Sequence, residues 1–122
     1  MSEPIYCFTD ASYSQQKQLS IVGYKIGTLD VQTEVLANVK NTQAELYAIQ
    51  KCIEISNTMF PSNPVIIFTD CQRAIKSYQE HEYPPHVTII KIKGHMRSHL
   101  RNETDIIFHS VDRAVRKALR LA

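Results

Sequence analysis

Two aspartates close the same tripeptide, Phe-Thr-Asp, at positions 8–10 and 68–70. Each follows an apolar, strand-prone run: Tyr6-Cys7-Phe8 before Asp10, and Val65-Ile66-Ile67-Phe68 before Asp70. If these strands lie side by side in one sheet, both carboxylates emerge at the same edge. Acids gathered at the end of a buried sheet repel each other unless a cation sits between them. The chemistry offered by such a pair is that of a metal site.

Three further acids stand where helices could carry them toward that edge: Glu45, Asp105 and Asp112. Every acid also has an ordinary structural reading. Asp10 can start a turn. Thr42-Gln43-Ala44-Glu45 fits a capping box, with Thr42 as N-cap and Glu45 three residues on. Asp70 can cap the short helix that follows it. Asp112 can pair with Arg116 four residues later, and Asp105 suits the first turn of a helix. For the metal reading to fail, all of these ordinary readings must hold together in one chain.

The elements that must position these acids can be read in order. Pro4–Ser12 reads as the first strand, followed by a polar loop beginning at Tyr13. Ser20–Gly27 is the second, with Gly23 marking a bulge or a close approach, and Val31–Val39 is the third. Short connections predict an antiparallel meander, with Ser14–Leu19 as the first hairpin. Thr42–Asn57 is the clearest helix, with Leu46, Ile49 and Ile53 at helical spacing. Val65–Thr69 is nearly all apolar, as suits a central parallel strand. Asp70–Gln79 is a short helix, Val87–Ile92 the fifth strand and Gly94–Arg101 a basic loop. Thr104–Leu121 is a final helix with Ile107, Val111, Val115 and Leu119 in one stripe. The order is βββαβαβα, and a strand, a helix and a strand in succession imply a right-handed crossover.

Composition bounds the rest. The 122 residues suit one domain, 1–122, with enough chain for a core, and 43% hydrophobic content is that of a globular protein. No apolar run approaches the roughly 20 residues of a membrane span. Met1-Ser2-Glu3-Pro4 has neither the basic region nor the apolar core of a signal peptide. The three cysteines, Cys7, Cys52 and Cys71, lie in apolar stretches without metal-ligand spacing. They read as reduced, buried thiols of an intracellular, cytoplasmic protein. The net charge of +2 is too small to imply a polyanionic partner, but the basic residues crowd the last third of the chain.

At this point the chain resembles the ribonuclease H family. The matching pieces are FTDAS (8–12), AEL (44–46), FTDC (68–71) and KGH (93–95), followed by an acid on a C-terminal helix. Each piece is weak alone; their order and spacing over essentially the whole chain carry the likeness. It implies a ribonuclease H-like α/β domain, a five-stranded mixed sheet with helices on its faces. It also implies an endonuclease cutting the RNA strand of RNA–DNA hybrids, leaving 5′-phosphate and 3′-hydroxyl ends. Two Mg²⁺ ions about 4 Å apart, with Mn²⁺ as a substitute, would activate a water and stabilise the leaving 3′ oxygen. By the resemblance Asp10 would bridge both ions, Glu45 would hold one near the ribose 2′-hydroxyl, and Asp70 would lie on the nucleophile side. His95 would shuttle a proton or help product leave. For the fourth ligand, Asp105 has the shorter spacing from His95, whereas Asp112, in VDRAVRKAL, has the better local match and is preferred. The two are seven residues apart, about 10 Å along one helix face. The glycine that often follows the family's Gly-His is replaced here by Met96 and Arg97.

Thr42 and Gln43, with Asn41, sit where relatives contact nucleic acid through polar side chains. Lys91, Lys93, Arg97 and Arg101, and then Arg113, Arg116, Lys117 and Arg120, can contact phosphates or simply form a solvated face. Tyr13 and Tyr24 can stack on a base or pack in the core. Two rivals stay open: a same-fold nuclease for DNA junctions or structured RNA, and a nucleic-acid-binding module without turnover. No separate hybrid-binding domain is visible, so affinity is expected to be modest or supplied by a partner, and action alone and action beside a polymerase or reverse transcriptase both stay open.

Overall fold

Strand β1 (Ile5–Ser14) is the central strand of the sheet in the computed structural model, which describes residues 3–80, 84–92 and 103–122. On one side β1 pairs antiparallel with β2 (Leu19–Ile26), and β2 with β3 (Gln32–Ala37). On the other side β1 pairs parallel with β4 (Val65–Thr69), and β4 with β5 (Val87–Lys91). The five strands are ordered β3-β2-β1-β4-β5. Helices α1 (Asn41–Met59), α2 (Gln72–Gln79) and α3 (Glu103–Leu121) complete the βββαβαβα order expected from the sequence. Strands one and four are neighbours, as the metal reading requires.

Side-chain alternation along β1 explains the two faces. Cys7 points to one side, where Ile49, Cys52 and Ile53 of α1, Ile67 of β4 and Ala74 of α2 close a core. Phe8 points to the other, where Phe108, Val111 and Val115 of α3 pack on it and on Ile21. Stacked rings floor that second face: Phe68 lies 5.1 Å from Phe8 and 6.2 Å from Tyr6 between centroids. Gly23 on β2 is a close approach and not a bulge, because the β1–β2 register runs unbroken from Cys7↔Ile26 to Ser14↔Leu19. A Cβ there would overlap Val115 Cγ2 and sit 3.1 Å from Val111 Cγ1. Glycine is what lets α3 lie this near the sheet.

Three local expectations are corrected. β1 does not end at Ser12 but runs on to Ser14, since β2 continues to pair with it beyond the end of β4, and the hairpin turn is residues 15–18. Helix α1 starts two residues earlier than the capping box implies. Its N-cap is Lys40, without a side-chain cap, and the Ala44 amide donates to the Lys40 carbonyl at 2.9 Å. Thr42 therefore lies inside the first turn, and Glu45 is buried and does not fold back over the helix end. Asp70 is not the N-cap of α2: Cys71 holds that place, also without a side-chain cap. No described helix is long and apolar enough to cross a membrane.

Candidate metal centre

β4 stops before β1 does. The parallel ladder pairs Ile5 with Val65 through Phe8 with Phe68, while β1 continues along β2. A notch opens beyond the end of β4, and the repeated Phe-Thr-Asp lies across its floor. In β1 the phenylalanine and the aspartate share the α3 face and the threonine points to the α1 face; Phe68 and Thr69 of β4 alternate in the same way, and Asp70 follows the last residue of that strand. Thr9 and Thr69 are fully buried, so the tripeptide leaves only its acid facing the opening.

Three carboxylates converge there. Asp10, Glu45 and Asp70 each offer an oxygen, and those oxygens lie within 4.8 Å of one another. Asp10 and Glu45 are buried, and Asp70 is half-buried. Glu45 comes from α1 on the opposite face and reaches the notch around the end of β4. The Ala11 amide and the Thr69 hydroxyl hydrogen-bond its carboxylate, and the Thr69 hydroxyl in turn accepts from the Cys71 amide at 3.2 Å. Its Oε2 is nonetheless buried without a hydrogen-bond partner among the described residues.

Asp112 of α3 joins the same pocket, of about 430 Å³, and hydrogen-bonds Asp10. It also makes the i,i+4 ion pair with Arg116 that its ordinary reading supposed, Nε to Oδ2 at 3.2 Å. Asp105 is buried two turns back along α3 and does not line the pocket. Among the described residues, Arg116 is the one cationic side chain lining it, and it is half exposed.

The electrostatics follow from this crowding. Burial, then the hydrogen bond that the protonated Asp10 donates to Asp112 and the charges of Glu45 and Asp70, push the Asp10 carboxyl up to about 9. Burial and the charge of Asp70 push Glu45 up to about 8, against the opposing pull of the Ala11 and Thr69 donors. Buried carboxylates this close cannot all ionise without a counter-charge; each must keep its proton or share a cation. The donor set is all oxygen, which suits a hard divalent cation, and the orphaned Glu45 Oε2 is an acceptor lacking its partner. The residues present fit such an ion.

Other sequence-derived candidates fall elsewhere. Thr42 and Gln43 do not line the pocket, but Asn41, at the start of α1, does. Lys93, His95 and Arg97 lie outside the described residues. Tyr24 is buried and donates to Glu34 Oε2 at 2.7 Å, which commits it to the fold; Tyr13 remains partly exposed. Cys71 departs from the buried-thiol expectation: it is half-buried and lines the pocket, whereas Cys7 and Cys52 are buried in the core. The supporting donors, Ala11 and Thr69, were not foreseen. The recurrence of threonine in both tripeptides was the available signal for Thr69; a backbone amide leaves none.

Comparison with known proteins gives no matching family model and no matching curated protein. Solved structures do match. The ribonuclease H1 of the halophilic archaeon Halobacterium salinarum NRC-1 superposes with a TM-score of 0.71 at 14% identity, over 98% of this chain and 99% of that one. LC11-RNase H1, in complex with an RNA/DNA hybrid, superposes with a TM-score of 0.65 at 15% identity, over 94% and 99%. The chain has the ribonuclease H fold, with the carboxylate notch at the end of its parallel pair.

Proposed function

We propose, taking the ribonuclease H fold as premise, that this protein is a metal-dependent endonuclease that hydrolyses the RNA strand of RNA–DNA hybrids. The observation that carries the reading is the convergence of Asp10, Glu45 and Asp70 within 4.8 Å, with Glu45 Oε2 buried and unpartnered. The likeness to a ribonuclease H1 solved with an RNA/DNA hybrid supports the choice of substrate.

Asp10, Glu45, Asp70 and Asp112 would hold two Mg²⁺ ions, or Mn²⁺ in their place. When bound, the ions would supply an activated water and charge neutralisation at the scissile phosphate, giving 5′-phosphate and 3′-hydroxyl ends. The chain's own contribution is to hold these carboxylates in place before substrate arrives. Asp10 is fixed by the β1–β2 ladder on both sides of it, and Asp70 by the last turn of chain between β4 and α2. Thr69 and Ala11 orient Glu45, and Arg116 orients Asp112. Asn41, Thr42 and Gln43 at the start of α1, with Lys93 and Arg97, are proposed as strand contacts, and His95 as the proton carrier. A pure binding module would gain nothing from four acids facing phosphates, which favours catalysis over the non-catalytic rival.

A cleavage assay on a labelled RNA–DNA hybrid in Mg²⁺ or Mn²⁺ tests this. RNA-strand cuts that vanish with EDTA are expected. Folded protein that leaves the hybrid intact in both metals would refute the reading, and equal or faster cutting of DNA junctions or structured RNA would reassign the substrate.

A further inference from the structure

Arg113, Lys117 and Arg120 stand at i, i+4 and i+7 on the exposed side of α3, with Ser110 one turn before them. They border a shallow groove of about 290 Å³. No carboxylate among the described residues lies within ion-pairing distance of any of the three. The stripe is continuous with the candidate metal centre: Arg116 lies between it and Asp112 on the helix surface, and Arg116 lines the acid pocket. From Asp112 to Arg120 the helix rises about 12 Å. The helix is firmly placed. Val111 and Val115 seat it on Gly23, and Lys17 Nζ in the β1–β2 turn donates to the Leu119 carbonyl at 2.8 Å and the Ala122 carbonyl at 3.0 Å.

We infer that this basic stripe of α3 is a second nucleic-acid contact, holding backbone phosphates that flank the bond at the acid pocket. Three cations in a row, with no ion-pair partner among the described residues and starting beside a site that would receive one phosphate, complement a strand that carries a charge every 3.4 Å of axis. The stripe runs from beside Asp112 to Arg120, about 12 Å along the helix or some three nucleotides, so it would add affinity and register without touching the reacting atoms. An anionic membrane is the poorer occupant. A helix that lies on a bilayer must offer it an apolar face, and the apolar face of α3 is buried against the sheet. The inference rests on the nuclease reading for the identity of its partner but not on turnover.

The test is binding, separate from cleavage. The wild-type chain, the triple variant Arg113→Gln/Lys117→Gln/Arg120→Gln and an equal-charge control, Lys25→Gln/Lys51→Gln/Lys76→Gln, are titrated against a labelled RNA–DNA hybrid. Anisotropy is read in EDTA at several salt concentrations. The triple variant should bind at least about tenfold more weakly than the control, and its slope of log K on log salt should fall by about 2, at 0.7–0.9 per lost phosphate contact. Matching melting temperatures show that the exposed substitutions leave the fold intact, and charge reversal to glutamate at the same three positions should deepen the loss. Equal affinity and slope in variant and control overturn the inference, as does binding of the wild type to phosphatidylserine vesicles but not to the hybrid. Wild-type protein that binds through this stripe yet never cuts leaves the inference standing and removes the nuclease reading instead.

Discussion

Asp10 and Asp70 occupy equivalent positions on two parallel neighbours: Phe8 lies opposite Phe68 in the ladder, and each acid follows its phenylalanine by two residues. The parallel register therefore brings both to the same edge: Asp10 is held within the β1–β2 ladder, and Asp70 lies just past the last residue of β4. Such a pair is costly when ionised and useful only with a cation between its members.

Asp10→Asn separates chemistry from folding. The carboxylate that touches Glu45, Asp70 and Asp112 is lost while shape is kept. Cleavage of the hybrid should fall by more than about a hundredfold, beyond what loss of a mere supporting group around a metal costs. In EDTA at pH 8 the variant should melt higher than wild type, since the wild-type carboxyl must take up a proton on folding and the amide need not. An unchanged cleavage rate would falsify the metal role of Asp10.

Stability without metal should decline as pH rises. Asp10 is pushed from 3.8 up to about 9 and Glu45 from 4.5 up to about 8, both chiefly by burial. Between those limits the folded chain binds more protons than the unfolded chain. The stability that these two groups contribute is thus full below about pH 4 and is lost progressively as pH climbs toward 8–9. Melting temperature in EDTA should fall from pH 5 to pH 9. Mn²⁺ should flatten the curve and bind more tightly at higher pH, because it takes the deprotonated carboxylates. A melting temperature that is level or rising in EDTA contradicts the crowding described above.

Asp112 and Asp105 should behave differently. Asp112→Asn replaces a carboxylate that lines the pocket and bonds Asp10 with a neutral amide, so hybrid cleavage should drop by more than about tenfold with a small change in melting temperature. Asp105 is buried away from the pocket, so Asp105→Asn should show itself first in thermal stability. Full activity in Asp112→Asn, with activity lost in Asp105→Asn, would reverse the choice of fourth ligand.

Gly23→Ala should damage the site from a distance. The new methyl group would overlap Val115 Cγ2, and overpacking of this kind costs about 1–3 kcal/mol. Because α3 carries Asp112, the rate should fall together with the melting temperature. Adding Val115→Ala to Gly23→Ala should restore part of both, giving a double-mutant coupling of opposite sign to the single losses. Additive losses would mean that the two side chains do not share the space.

How the chain divides its information is visible at single residues. The alternation of Cys7, Phe8, Thr9 and Asp10, the twin Phe-Thr-Asp and the helical stripe of Val111 and Val115 are local patterns. They were enough to order the eight elements and to set Asp10 and Asp70 after matching apolar runs, whereas that the two strands are neighbours is a finding of the sheet. What local pattern could not supply is which atoms meet. Thr42 and Glu45 have the spacing of a capping box, yet Glu45 turns into the notch because β4 ends there and leaves the Ala11 amide and the Thr69 hydroxyl to receive it. Asp105 and Asp112 lie on one helix face, and only the seating of α3 on Gly23 decides that Asp112 reaches Asp10. Propensity and periodicity act over a few residues, so the sequence by itself determined the elements and the kinds of oxygen they carry. The distances among those oxygens depend on ladder register and helix seating, contacts between residues tens of positions apart, and only the tertiary structure could decide them.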